Sequence, residues 1–97
     1  MTRSLYPRRA ANMASRVFEG EAVLMNPADS ALFNLNEIAT VIWLAADGRT
    51  ALSEIVDRDI CPHFEIDRDS ALRDAEDLVR SLAESSVLIL SEEPDRV

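Results

Sequence analysis

The spacing of hydrophobic residues changes part-way along the chain. Before residue 36, three short apolar runs are separated by residues that favour turns. Glu19-Gly20-Glu21 is typical of a hairpin turn, and the segment 26–30, which contains Pro27, is typical of a connection between strands. The pattern therefore predicts a three-stranded antiparallel meander, with strands over Ser15–Phe18, Ala22–Met25 and Ala31–Leu35.

After residue 36 the apolar positions recur at helical spacing. Asn36 is a good N-cap, and the helix that follows it is apolar around most of its circumference. Such a helix must be packed on several sides. Gly48 is expected to end it as a C-cap residue. The first helix is therefore predicted to be the centre of the fold.

Two further helices and a short run follow. Thr50 is predicted to cap the second helix and Pro62 to lie beyond its end. Asp67 or Asp69 is predicted to cap a longer third helix that reaches about Glu84. A β-prone run over 87–90 can return as a short final strand. The buried stripe of the third helix is predicted to contain Ala71, Leu72, Ala75, Leu78, Val79 and Leu82.

The order of these elements predicts an α+β fold in which strands precede helices. In outline it is winged-helix-like. The 97 residues suit one domain. We expect a flexible N-terminal arm or loose strand over 1–13, the folded domain over 14–90, and a polar C-terminal tail over 91–97.

Charge narrows the choice of partner. Eighteen acids against ten bases, all of them arginine, give a net charge of −8. Such a balance repels phosphate backbones, so we expect no nucleic-acid partner. The basic arm (Arg3, Arg8, Arg9) could grip RNA or an acidic protein, although a disordered tail explains it more simply. No apolar run is long enough to span a bilayer, and no secretion signal is visible, so we expect a cytoplasmic protein without a membrane partner.

Few residues suit catalysis or metal binding. Cys61 is the only cysteine and His63 the only histidine, which gives two ligands where structural zinc needs four. The chain has no lysine and only two glycines, which excludes a glycine-rich phosphate loop. We predict no enzyme activity, no metal and no cofactor. Asp29-Ser30-Ala31-Leu32 is similar to the modified serine motif of acyl carrier proteins, but the residues after it alternate in polarity instead of repeating at helical spacing.

Several short motifs occur in order along most of the chain. From residue 14 to 90 the sequence resembles the PqqD-like family, peptide chaperones first associated with pyrroloquinoline quinone biosynthesis. Two features depart from that family's pattern: an insertion at Cys61-Pro62-His63, and Ser85-Ser86 where glycine is usual. They leave the subfamily open. The motifs that carry the resemblance are Leu24–Pro27, Leu35–Ala39, Ile42-Trp43, Asp47–Thr50, Ser53–Val56, Asp77–Val79 and Ser86–Leu88.

The resemblance implies a recognition element for ribosomally made, modified peptides. In that family the leader segment of a precursor peptide is held as an added strand along the third strand, in a groove shared with the third helix. The implied partners are this leader and a modifying enzyme of the radical S-adenosylmethionine type. The implied peptide-binding residues are Leu32, Phe33 and Asn34 as docking strand, Leu78 as apolar wall, and Asp74, Asp77 and Ser81 as polar rim.

Other interpretations stay open at this stage. Phe33 and Leu78 are equally well explained as core residues, and Trp43 is better explained as core than as a ligand contact. An exposed strand edge also favours pairing between two copies, so a homodimer is a further expected partner. The competing functions are a winged-helix transcriptional regulator, an acidic protein-interaction domain and a carrier protein.

Overall fold

The computed structural model describes residues 4–11 and 13–95. The second helical region runs without a break over residues 52–64, and its middle part is π-helical instead of α-helical. The predicted α+β fold, with a meander, three helical regions and a final strand, is confirmed. The elements are β1 Tyr6–Arg9, β2 Ala14–Phe18, β3 Glu21–Met25, β4 Leu32–Leu35, α1 Glu37–Ala45, α2 Leu52–Ile55, a π-helical segment Val56–Ile60, α3 Cys61–Phe64, α4 Arg68–Glu84 and β5 Leu88–Ser91.

The meander β2-β3-β4 is antiparallel throughout. Glu19 and Gly20 both have positive φ, 51° and 82°, which is the conformation that a tight two-residue hairpin loop needs. In β3, Ala22 and Leu24 are buried while Glu21, Val23 and Met25 are exposed. One face of the sheet therefore packs on the helices, and the other face is open.

Thr40 joins the sheet to α1. Its buried hydroxyl accepts a hydrogen bond from the Ala22 N–H at 2.9 Å and donates one to the Leu35 carbonyl at 3.2 Å. Asn36 caps α1 as predicted, because its Oδ1 accepts from the Ala39 N–H at 2.9 Å. These bonds fix the start of α1 against the ends of β3 and β4.

Residues 6–9 are not a free arm. Strand β1 pairs antiparallel with β5, and its other side bonds the segment after α1. There the Arg9 N–H donates to the Ala46 carbonyl at 3.2 Å, and the Gly48 N–H donates to the Pro7 carbonyl at 2.8 Å. Proline fits position 7 because the residue there does not have to donate an N–H to β5. Residues 1–3 and 12 of the expected arm lie outside the described residues.

Arg9 also caps the C-terminal end of α1, whose last turn has no basic residue of its own. Its guanidinium donates to the carbonyls of Trp43 at 3.2 Å and Leu44 at 2.5 Å. It also lies 5.6 Å from the centre of the Trp43 ring. A cation at this end of a helix is favourable, so the arm stabilises the central helix.

The turn after α1 differs from the prediction in two ways. Gly48 has positive φ but lies beyond the extended cap residue Ala46, so it is not the C-cap. Thr50 does not cap α2; its N–H and hydroxyl donate to the Asp47 carboxylate at 2.9 and 3.1 Å. The Arg49 N–H and these Thr50 bonds lower the pKa of Asp47 below its usual value. Gly48 and Thr50, which were predicted to end one helix and cap the next, therefore belong to one turn centred on Asp47.

The sequence predicts that Pro62 lies beyond the second helical region, but the structure places it inside that region. The Cys61 N–H donates to the Val56 carbonyl, five residues back, and α3 begins there with proline in its first turn. Proline is tolerated in a first turn because no donor is needed from it. The π-helical segment therefore leaves Pro62 in the first turn of α3.

A single core lies between the inner face of the meander and the helices. Trp43 belongs to it with 6% of its surface exposed, which agrees with the core interpretation. Its indole N–H has no hydrogen-bond partner within the described part of the chain. Asp67 caps α4 through the Ser70 N–H at 3.2 Å. Within residues 4–11 and 13–95, no helix is both long and apolar enough to cross a membrane.

Candidate functional site at the free edge of the meander

Strand β4 has β3 on one side and no strand on the other among the described residues. The Asn26 N–H donates to the Ala31 carbonyl at 2.9 Å, which sets the ladder register. Bonded pairs alternate with non-bonded pairs in an antiparallel ladder, so Phe33 and Leu35 bond β3. The backbone groups of Leu32 and Asn34 therefore point away from β3, toward the free edge.

A cavity of about 270 Å³ opens next to the end of this strand. It begins at Asn36, the residue that follows β4, and runs between α1, the π-helical segment and α4. Its walls are mainly aliphatic, with Asp74 as the charged residue. The volume is below the ~300–1,000 Å³ of typical small-molecule sites and suits one large side chain. The lining residues are Asn36, Ile38, Ile42, Ile60, Ile66, Ala71, Asp74, Ala75 and Leu78.

The structure brings only part of the predicted site together. Asp74 and Leu78 line the cavity, whereas Asp77 and Ser81 are exposed further round and along α4. On β4, Leu32 is 65% exposed on the open face of the sheet. The other two residues of the predicted docking strand differ in burial: Asn34 is exposed, and Phe33 is half-buried against the core.

Asn34 borders a second, more open depression of about 390 Å³ at the same end of the sheet. Asn36 lines both hollows, so they meet at the start of α1. The cavity therefore begins at the residue that follows the end of β4. An extended chain lying along β4 would pass Asn34 and reach the cavity at Asn36.

Comparison with known proteins finds a family match. The family model described as "Coenzyme PQQ synthesis protein D (PqqD)" matches residues 21–88, which is well over half of the chain. This chain belongs to the PqqD family. The match includes β3, β4 and all the helices, and so it covers every residue of the cavity.

A solved structure adds a relative of the same shape. The chain is similar to TbiB1, in the structure "TbiB1 in Complex with the TbiA(beta) Leader Peptide", with a TM-score of 0.74 and 28% sequence identity. The alignment covers 84% of this chain and 93% of that chain. Among curated proteins, none matches this chain.

The sequence did not reveal most of the cavity of this PqqD-family chain. Four isoleucines, Ile38, Ile42, Ile60 and Ile66, form much of its wall. Helical periodicity finds a buried face but cannot tell a packed surface from a cavity wall. The available signal was the excess of apolar surface on the first helix, which its neighbours do not fully cover.

Cys61, His63 and Ser30 are the candidates for metal binding and for carrier-type modification. Within the described part of the chain, no group of histidine, cysteine, aspartate or glutamate residues could hold a metal ion. Cys61 is half-buried and His63 is exposed. Ser30 lies in the turn between β3 and β4 with φ 58°, and no helix begins there. The helix start that a carrier-protein serine requires is therefore absent at Ser30.

Proposed function

We propose that this chain captures the leader segment of a ribosomally made precursor peptide by strand addition to β4 and presents it to a modifying enzyme. The observation that carries the proposal is the free edge at Leu32 and Asn34, together with an apolar cavity that begins at Asn36, just after the end of β4. The family membership of the chain and its likeness to TbiB1, whose structure contains a leader peptide, support the proposal. In this proposal the module itself is non-catalytic.

Two contributions would hold the peptide. Leu32 and Asn34 together offer two N–H and two C=O groups, each worth about 0.5–1.5 kcal/mol when paired. Filling the cavity with one large apolar side chain adds about 1.5–3 kcal/mol. These terms reach at most about 9 kcal/mol, and ordering the peptide offsets part of it. We therefore expect a dissociation constant in the micromolar range or weaker.

The finer parts of the proposal concern partners and place. A radical S-adenosylmethionine enzyme is the modifying enzyme that the family resemblance suggests, and the cytoplasm is where a ribosomal precursor would meet it.

Phe18, 71% exposed, and Leu32 lie on the open face of the sheet. This apolar face and the free edge favour a homodimer, and we expect the peptide to compete with self-pairing at β4.

The proposal predicts that Asn34→Pro weakens peptide binding about tenfold. Proline removes the N–H that points to the free edge but leaves the ladder to β3 intact, and tenfold corresponds to about 1.4 kcal/mol. A suitable ligand is a synthetic peptide of the consensus enriched from a displayed library of random linear peptides. Calorimetry gives its affinity for both proteins.

Ser15→Pro is the matched control for this substitution. The β3 residues that bond β4 are Ala22 and Leu24, so β2 bonds the alternate residues of β3. The register then leaves the Ser15 N–H on the opposite free edge of the same sheet. Ser15→Pro should leave the affinity unchanged. Equal affinities for wild type and Asn34→Pro, with both folded by circular dichroism, would remove β4 as the docking strand.

A further inference from the structure

The cavity at the end of β4 has a buried floor and an open rim. None of its floor residues exposes more than 5% of its surface; they are Ile42, Ile60, Ala71 and Ala75. The rest of the lining is half-buried or exposed, so the cavity opens to solvent on that side. These rim residues are Asn36, Ile38, Ile66, Asp74 and Leu78.

Among the described residues that line this cavity, side-chain polar atoms occur at the rim. Asn36 and Asp74 carry them, and both residues are exposed. The floor residues present only methyl and methylene groups. A polar atom carried to the floor would therefore leave water without gaining a side-chain hydrogen-bond partner, which is unfavourable.

The volume of the cavity suits an aromatic ring. An apolar cavity of about 150 Å³ in another protein stays dry and holds one benzene molecule. At about 270 Å³ this cavity has room for a whole benzyl group, whereas a leucine side chain would leave part of the space without contacts. Ala71 and Ala75 provide this room, because their side chains end at Cβ.

We propose that the leader recognised by this chain carries phenylalanine as its anchor residue and that the cavity discriminates against tyrosine. A ring that enters from the rim carries its para position deepest, so the tyrosine hydroxyl would come to rest on the aliphatic floor. Tryptophan is disfavoured for the same reason, because its indole N–H is a donor. This inference rests on the proposed function and names the side chain that the cavity accepts.

Synthetic peptides measure this preference. Linear peptides enriched on the full chain supply a consensus, whose anchor is the position at which alanine weakens binding most. Calorimetry then compares phenylalanine, tyrosine and leucine at that position. We expect the tyrosine peptide to bind about tenfold to a hundredfold more weakly than the phenylalanine peptide, and the leucine peptide about threefold to tenfold more weakly. A consensus anchor other than phenylalanine, or equal binding of the phenylalanine and tyrosine peptides, overturns the inference and leaves the proposed function standing.

Serine variants of α4 assign the discrimination to the floor of the cavity. Ala75→Ser places there a hydroxyl that bonds a helix carbonyl and still accepts from tyrosine, so the tyrosine peptide should bind within about threefold of the phenylalanine peptide. Ala71→Ser is a second variant with the same expected effect. Ala83→Ser is the matched control, because it makes the same change on the same helix outside the cavity and should keep the full preference. Unchanged discrimination in both floor variants, with each folded by circular dichroism, contradicts the assignment to this cavity.

Two small molecules test the cavity without a peptide. Toluene has the ring of phenylalanine, and p-cresol has the ring and hydroxyl of tyrosine. At equal concentrations toluene should shift the NMR methyl signals of Ala71 and Ala75, p-cresol should shift them much less, and neither should shift the signal of Ala83. Equal shifts from both molecules overturn the inference. If no linear peptide is enriched while toluene still binds selectively, the proposed function fails and the preference of the cavity stands.

Discussion

At the scale of single residues, Thr40 contributes more than its neighbours to the geometry of the site. Its hydroxyl is the buried polar group that connects β3, the end of β4 and α1. Asn36, which follows Leu35, lines the cavity. The Thr40 side chain therefore helps to fix the end of β4 against the start of α1.

We predict that Thr40→Val lowers the free energy of unfolding by about 1–3 kcal/mol. Valine has the same shape but leaves the Ala22 N–H and the Leu35 carbonyl without their side-chain partner. Urea denaturation measures the change. Thr40→Ser keeps the hydroxyl and removes one methyl group, so it should cost about 1 kcal/mol or less. A valine variant as stable as wild type would show that these bonds contribute nothing net.

At the scale of elements, the π-helical segment explains how Pro62 fits inside a helical region. A proline inside a regular α-helix costs about 3 kcal/mol, because it lacks a donor and its ring meets the carbonyl four residues back. Here the Cys61 N–H already bonds the carbonyl five residues back. The same segment ends at Ile60, which is 2% exposed and forms part of the cavity wall.

We therefore predict that Pro62→Ala changes the free energy of unfolding by less than about 1 kcal/mol, because the π-helical geometry has already removed the conflict. Arg73→Pro is the contrasting substitution, since it places proline in the regular helix α4 and should cost about 3 kcal/mol. Both are measured by urea denaturation. If Pro62→Ala stabilised the protein by about 3 kcal/mol, the proline would be strained and this explanation would be wrong.

The same element shows a limit of prediction from sequence. Asn36 and Asp67 were identifiable as caps because a side chain bonds a backbone group a few residues away. Pro62 indicates a helix end by local rules, and only the packing of Ile60 and the bond from Cys61 decide otherwise. Thr50 was misassigned for a similar reason, since Asp47 competes for its N–H and hydroxyl.

At the scale of the whole molecule, strand β1 completes the fold from the N-terminal side. Its four residues lack a clear hydrophobic period because they bond backbone to backbone on both sides, and Pro7 is buried by its position between neighbours. Arg9 caps α1 over 34 residues of intervening sequence. Pairings of this range leave no local pattern, so the sequence could not decide between a flexible arm and a loose strand.

Only part of the candidate site was predictable from the sequence. The resemblance to the PqqD family supplied the strand and the helix, and the structure places Asp74 and Leu78 of that prediction at one cavity. The cavity wall comes from three separate helical regions and the connector residue Ile66. Because the hollow depends on how those elements are packed together, no single segment of the sequence indicates it.

The most direct test of the account is amide hydrogen exchange of β4 with and without a bound peptide. The Leu32 and Asn34 N–H groups point to the free edge, so an added strand should protect both from exchange. The Ser15 and Val17 N–H groups on the opposite edge should exchange at unchanged rates. A peptide that binds while Leu32 and Asn34 keep exchanging as in the free protein would contradict strand addition to β4.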